Sequence, residues 1–173
     1  MKKVLLIFLL CFSSQQLLFA QDFAGSEVRL NFLNLIALGK VELGYEKFIA
    51  KDQSVGVELH LNDRFAYRST GSDRNFSASS IQLSYQFYFA GEEDHRLFLF
   101  PFFKYRFGEF SEPAGVTNLN SGFIGLGGGY KWAFNDKFAF GPFASIARGF
   151  SEEVQDRFSA IEFNFGFTVG LRF

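Results

Sequence analysis

The stretch Ala160 to Phe173, A-I-E-F-N-F-G-F-T-V-G-L-R-F, limits the possible folds of this chain more than any other. Ile161, Phe163, Phe165, Phe167, Val169, Leu171 and Phe173 share one parity. Glu162, Asn164, Gly166, Thr168, Gly170 and Arg172 share the other. Strand side chains alternate between faces, so the segment is a strand with one apolar face and one polar, glycine-rich face. Its length exceeds the roughly 9–11 residues a strand needs to cross a bilayer. A strand of this kind needs partners that repeat its pattern.

The rest of the chain supplies them. A two-residue period predicts seven further strands, at 27–37, 41–49, 54–65, 78–89, 96–107, 122–134 and 138–148. The first loses strict alternation at Leu33, Leu35 and Ile36. Links near 51–53, 90–95 and 135–137 are short, whereas 66–77, 108–121 and 149–157 are long and polar. Alternating short and long links are the asymmetry of membrane barrels, which have short periplasmic turns and long outer loops. The link at 38–40 is short where a long one belongs. Phenylalanine supplies 27 of 173 residues and glycine 17, with only three prolines, a composition suited to strands rather than helices. The expected fold is an all-β, eight-stranded, antiparallel up-and-down transmembrane barrel with a lumen filled by polar side chains.

Residues 1–20 read as a cleaved signal peptide, and residues 21–173 as the barrel domain. Lys2 and Lys3 precede the apolar run Val4 to Phe12, and Ala20 is a small residue at the expected cut. Cys11, the only cysteine, lies inside this segment after the bulky Leu10, which argues against lipidation. The exported domain therefore has no disulfide. A net charge of −1 gives no electrostatic case for nucleic acid. Aromatics gather at strand ends, where a bilayer places its interfacial girdles. Phe48, Phe89, Trp132, Phe134, Phe138 and Phe173 lie by the short turns. Phe65, Tyr67, Phe107, Phe123 and Phe158 lie by the long loops.

The segments N-L-I-A-L-G-K-V-E-L-G-Y-E-K-F (Asn34 to Phe48), P-F-F-K-Y-R (Pro101 to Arg106) and the final G-L-R-F resemble small outer-membrane barrels of Gram-negative bacteria. They are particularly similar to an uncharacterised barrel family, a domain of unknown function with an N-L-x-x-G-Y-E-like second strand. The resemblance implies a barrel fold and an outer-membrane location, and no activity; the alternation of short and long links puts both termini on the periplasmic side. It also implies that Phe173, after its aromatic alternation, is the signal read by the outer-membrane assembly machinery.

With the polar parity turned inward, Arg29, Lys104, Arg106, Lys131 and Arg172 face Glu42, Glu46, Glu58 and Glu162, with His60 among them. Unpaired charge is costly in so narrow a lumen, so these residues are expected to form a polar network that plugs it. His60, beside Glu58 and Asn62, reads as a lumen histidine rather than a catalytic base, because no serine lies in the needed context. His95 reads as solvated, and two histidines with scattered carboxylates give no metal-ligand spacing. Gly125 to Gly129 read as relief of crowding rather than a phosphate loop, since a strand and not a helix follows. Glu152, Glu153 and Asp156 read as a solvated loop.

The expected role is structural or interactive and not enzymatic, with no cofactor. The chain is expected to be a monomer embedded in outer-membrane lipid. An extracellular ligand would be met by loops 66–77, 108–121 and 149–157. The alternatives are a lipid-modifying enzyme, a narrow small-solute channel and a soluble, lipocalin-like periplasmic calyx.

Overall fold

A computed structural model describes residues 25–63, 75–92 and 94–173. The signal-peptide assignment at 1–20 and the girdle residues Phe65 and Tyr67 lie outside the described residues. Eight strands close an antiparallel barrel: β1 (Ser26–Asn31), β2 (Val41–Ala50), β3 (Gln53–Leu61), β4 (Asn75–Glu92), β5 (His95–Glu112), β7 (Ser121–Phe134), β8 (Phe138–Gly149) and β9 (Ile161–Arg172). A ninth, β6 (Gly115–Asn118), pairs with the C-terminal end of β5. Each barrel strand bonds to its neighbours in the chain, and β4 pairs with β5. The seam is β1 on β9, running from Glu27↔Arg172 to Asn31↔Thr168 and extended by backbone bonds between Ser26 and Phe173. Closure leaves no full-length edge, the condition for a sheet to survive in hydrocarbon.

Alternation then sets the two faces. Leu43, Tyr45, Val57, Leu83, Leu99, Phe103, Leu126 and Phe163 lie exposed on an apolar outer belt. Their strand neighbours Glu42, Glu46, Gln82, Phe98, Phe100, Phe102 and Lys104 are buried inside. Phe165, 65 % exposed, sits on this belt, and Thr168 faces inward with its hydroxyl donating to the Gly141 carbonyl. Phe165→Arg should cost about 2–4 kcal/mol if it lies near a bilayer midplane, and Thr168→Ser far less. Urea unfolding in lipid vesicles measures both. Equal losses would mean that the outer belt does not meet lipid.

The first strand is shorter than its sequence suggests. It stops at Asn31, and Phe32–Leu38 form a helix, α1. The loss of alternation at Leu33, Leu35 and Ile36 is the trace of that change of period. The Asn31 side chain caps the helix by accepting from the Asn34 N–H. Gly39, at φ 62°, ends it in a left-handed conformation that glycine adopts without strain. The N-terminal half of β9 thus lies beside a helix rather than a strand, and the anomalous link at 38–40 is a helix end, not a hairpin.

The long links also carry structure. β4 and β5 continue well past the belt as a paired stem, β6 folds back on it, and Glu152–Arg157 form a second short helix, α2. Phe76, Phe110, Leu119 and Val154 are buried there, with Phe158 packed against them. Phe158 forms edge-to-face contacts with Phe76 and Phe110 at centroid distances of 6.0 and 5.6 Å. An apolar cap therefore covers this end. At the opposite end, Asn135 and Asp136 both take φ 53°, and the Lys137 N–H bonds to the Phe134 carbonyl at 3.2 Å. That is a two-residue turn whose twist matches a hairpin, made by residues that tolerate left-handed backbone.

Candidate functional site: a lumen of paired charges

Inward-facing strand positions, with Lys40 and Asp63 just beyond the ends of α1 and β3, deliver six cations and six anions to the interior among the described residues. The cations are Arg29, Lys40, Lys104, Arg106, Lys131 and Arg172. The anions are Glu27, Glu42, Glu46, Glu58, Asp63 and Glu162. Arg29, Glu42, Glu46, Glu58, His60, Lys104, Arg106, Lys131, Glu162 and Arg172 are placed on this inner face. Three charged members, Glu27, Lys40 and Asp63, join them. The two added acids supply the negative charge that balances the interior.

The pairs form two clusters. Toward the short-turn end, Glu46 accepts from Arg29 at 2.6 Å, Lys131 at 2.8 Å and Ser54 at 2.6 Å, and also from the Tyr88 hydroxyl. Arg29 reaches Glu58 with its second nitrogen, while Glu27 accepts from Lys131 at 3.0 Å and Arg172 at 2.9 Å. Toward the capped end, Asp63 receives Lys40 at 2.7 Å, Arg106 at 2.9 Å and Lys104 at 3.4 Å, with a further bond from Ser80. Glu162 accepts from Arg106 at 2.6 Å and from Lys104. Buried charge is tolerable only when each lone pair or proton is met in this way.

Glu42 fastens α1 to the wall. It accepts from Asn31 at 2.6 Å, Asn34 at 3.0 Å, Asn164 at 3.2 Å and Lys40 at 2.7 Å. Asn34 also donates to Asn164 at 2.9 Å, so β1, α1, β2 and β9 meet at one carboxylate. His60, 1 % exposed, lies between the clusters, with Nδ1 3.7 Å from Glu42 and Nε2 3.4 Å from Glu58. Among the described residues neither ring nitrogen has a hydrogen-bond partner.

The opposite wall is aromatic. Phe98, Phe100 and Phe102 stack along β5 at centroid spacings of 5.8 Å, facing the bare backbone of Gly125, Gly127 and Gly129. A Cβ on Gly127 would stand 2.5 Å from Phe100 Cε1, and one on Gly129 2.7 Å from Phe98 Cζ. The glycines make room for rings. Phe123 is buried beneath Lys104 and Arg106, each 4.9 Å from its centroid, at cation–π distance.

Two girdle assignments by the long loops are therefore corrected: Phe123 is a lumen residue, and Phe158 belongs to the cap. Phe48 is corrected too. It shares the parity of Glu42 and Glu46, and its ring turns inward to Tyr88 at 5.9 Å. Phe89, Trp132, Phe134, Phe138 and Phe173 are exposed on the outside. His95 is paired with Asp94 at 2.6 Å. Glu153 of α2 accepts from the Asn118 N–H at 2.9 Å, which ties that helix to β6.

No protein-family model and no curated protein matches the chain. Several solved structures do match. The N-terminal β-barrel domain of Pseudomonas aeruginosa OprF superposes with a TM-score of 0.63 at 12 % identity, covering 86 % of this chain and 96 % of that one. Neisserial surface protein A gives 0.53 at 12 % identity, covering 86 % and 92 %. Ail, the attachment invasion locus protein of Yersinia pestis, gives 0.51 at 12 % identity, covering 86 % and 94 %. The chain thus has the fold of small eight-stranded outer-membrane barrels.

Proposed function

We propose that this chain is a non-enzymatic outer-membrane protein of a Gram-negative bacterium, sealed along its axis and working through its capped outer end. The lumen carries this reading: six cations and six anions interlock across it, and a phenylalanine wall fills the other side. Such an interior gives rigidity rather than passage. The capped end, with β6, α2 and the exposed Val116 and Phe150, is the contact surface for an extracellular partner. The neighbours include surface and attachment proteins, in keeping with that role.

The reading places the short turns and both termini in the periplasm, with residues 1–20 removed on export and Phe173 serving the assembly machinery. It keeps the chain as a monomer within the uncharacterised barrel family that its second strand resembles. Purified protein in planar bilayers should show no steady conductance. A reproducible, ion-selective step would overturn the sealed lumen. Membrane fractionation with a heat-dependent gel shift checks the location, and a soluble periplasmic product would refute it.

A further inference from the structure

The lumen is sealed by paired charge, yet its short-turn end opens into a cavity of about 350 Å³. The floor is aromatic: inward-turned Phe48 from β2 and Tyr88 from β4. Three cations stand over these rings. Arg172 lies 5.4 Å from the Phe48 centroid, Arg96 5.9 Å from the Tyr88 centroid, and Lys131 5.9 and 5.4 Å from the two. The volume lies in the range of small-molecule sites, which pair apolar walls with a few fixed polar groups.

Arg96 differs from the six lumen cations. Each of those has a carboxylate at ion-pair distance. Arg96 is instead held by backbone carbonyls, with Nη1 donating to Lys51 at 2.5 Å and Nε to Glu92 at 3.2 Å. Carbonyl oxygens fix the position of a guanidinium without cancelling its charge. Among the described residues no carboxylate lies within ion-pair distance of it, and Asp136 is the acidic side chain lining the cavity. A neighbouring cavity of about 240 Å³ shares Lys51, Tyr88 and Arg96, so the guanidinium borders both spaces. The result is a positioned cation with no carboxylate at ion-pair distance among the described residues, set beside an aromatic floor, with Asp52 and Glu92 lining the adjoining space.

We propose that this cavity binds a small organic anion: a carboxylate or phosphate group on a flat, apolar body. Arg96 takes the anionic oxygens as a planar fork, and Phe48 and Tyr88 take the body. Lys131 and Arg172 add field from behind while they remain bound to Glu46 and Glu27. The chemistry of the mouth defines the ligand, so the site does not depend on which side of a membrane it faces.

The full barrel in zwitterionic detergent, titrated calorimetrically against matching empty micelles, tests this. The probes are phenyl phosphate, benzoate, inorganic phosphate and neutral benzyl alcohol. Saturable one-to-one binding of phenyl phosphate or benzoate is expected, and the tighter of the two identifies the anionic group. Benzyl alcohol should not saturate. Arg96→Gln should weaken the tighter anion by about tenfold, the effect of one charge-assisted bidentate contact. Phe48→Leu should weaken phenyl phosphate and leave inorganic phosphate unchanged. Both variants must first show the heat-dependent gel mobility of the folded barrel, and Lys137→Gln in the adjacent turn serves as a folded control that should bind normally. No saturable binding of either organic anion up to about 10 mM would overturn the proposal. So would equal affinity in Arg96→Gln, or equal saturable binding of benzyl alcohol.

Discussion

Asp63→Asn should destabilise the barrel by about 3–5 kcal/mol, the usual cost of removing one partner from a buried ion cluster. The substitution changes almost no volume, so the loss is electrostatic. Asp63 is fully buried and faces Lys40, Arg106 and Lys104, with Ser80 bonded to it. Without it, Lys40 keeps Glu42, while Arg106 and Lys104 share Glu162, so three cations face two anions. A second substitution tests that count. Lys104→Met in the Asp63→Asn background removes the surplus charge, and at least half of the lost stability should return. Asp136→Asn, at an exposed turn, should change stability by no more than about 0.5 kcal/mol. Urea unfolding of vesicle-reconstituted protein reads all three. A loss below about 1 kcal/mol for Asp63→Asn would mean that water reaches the cluster and screens it.

Asp63 also marks where sequence reasoning ran out. The lumen residues on regular strands were legible because parity alone assigns them to a face: Arg29, Glu42, Glu46, Glu58 and His60 alternate with Leu43, Tyr45, Val57 and Leu59. Glu27 shares the parity of Arg29 and was open to the same inference. Lys40 and Asp63 follow the ends of α1 and β3, where no period applies, and only the fold brings them together over the lumen. The helix left one trace in the sequence reading, the break at Leu33; Asn31 and Gly39 show themselves as its cap and stop only in the fold. The misassigned aromatics have a different cause. Phe48 and Phe123 lie near strand ends, and position along the strand suggested an interface. Their parity with Glu46 and Gly125 pointed inward, and parity decides, because the pleat leaves a side chain no other direction. Phe98, Phe100 and Phe102 share the parity of Lys104 and Arg106, so the same rule turns them inward although both faces of β5 are aromatic. What the sequence did not show is the row of glycines across the ladder that makes room for these rings.

That glycine–phenylalanine match sets two physical effects against each other at Gly127, and their sizes predict the result. Strand propensity alone favours Gly127→Val, by an amount within the scale's span of about 1 kcal/mol, since valine suits a strand and glycine does not. Packing opposes it. The new Cβ would stand 2.5 Å from Phe100 Cε1, and two methyl groups would lie beyond it. Phe100 is buried and cannot swing aside, because Phe98 and Phe102 stack on its two sides at 5.8 Å and Phe143 meets its edge at 6.3 Å. Overpacking a filled interior costs about 1–3 kcal/mol, occasionally more. With the clash involving a locked ring, the net loss should reach about 3 kcal/mol or prevent folding. The heat-dependent gel shift then disappears or its midpoint falls. Phe100→Ala in the Gly127→Val background should restore folding, because it removes the ring that the valine meets. Gly122→Ala, whose Cβ would find Phe103 no nearer than 3.5 Å, should be close to neutral. If Gly127→Val folds as well as the parent, Phe100 has room to move. The aromatic wall would then be loose packing, and the case for a lumen sealed on both sides would lose half its support.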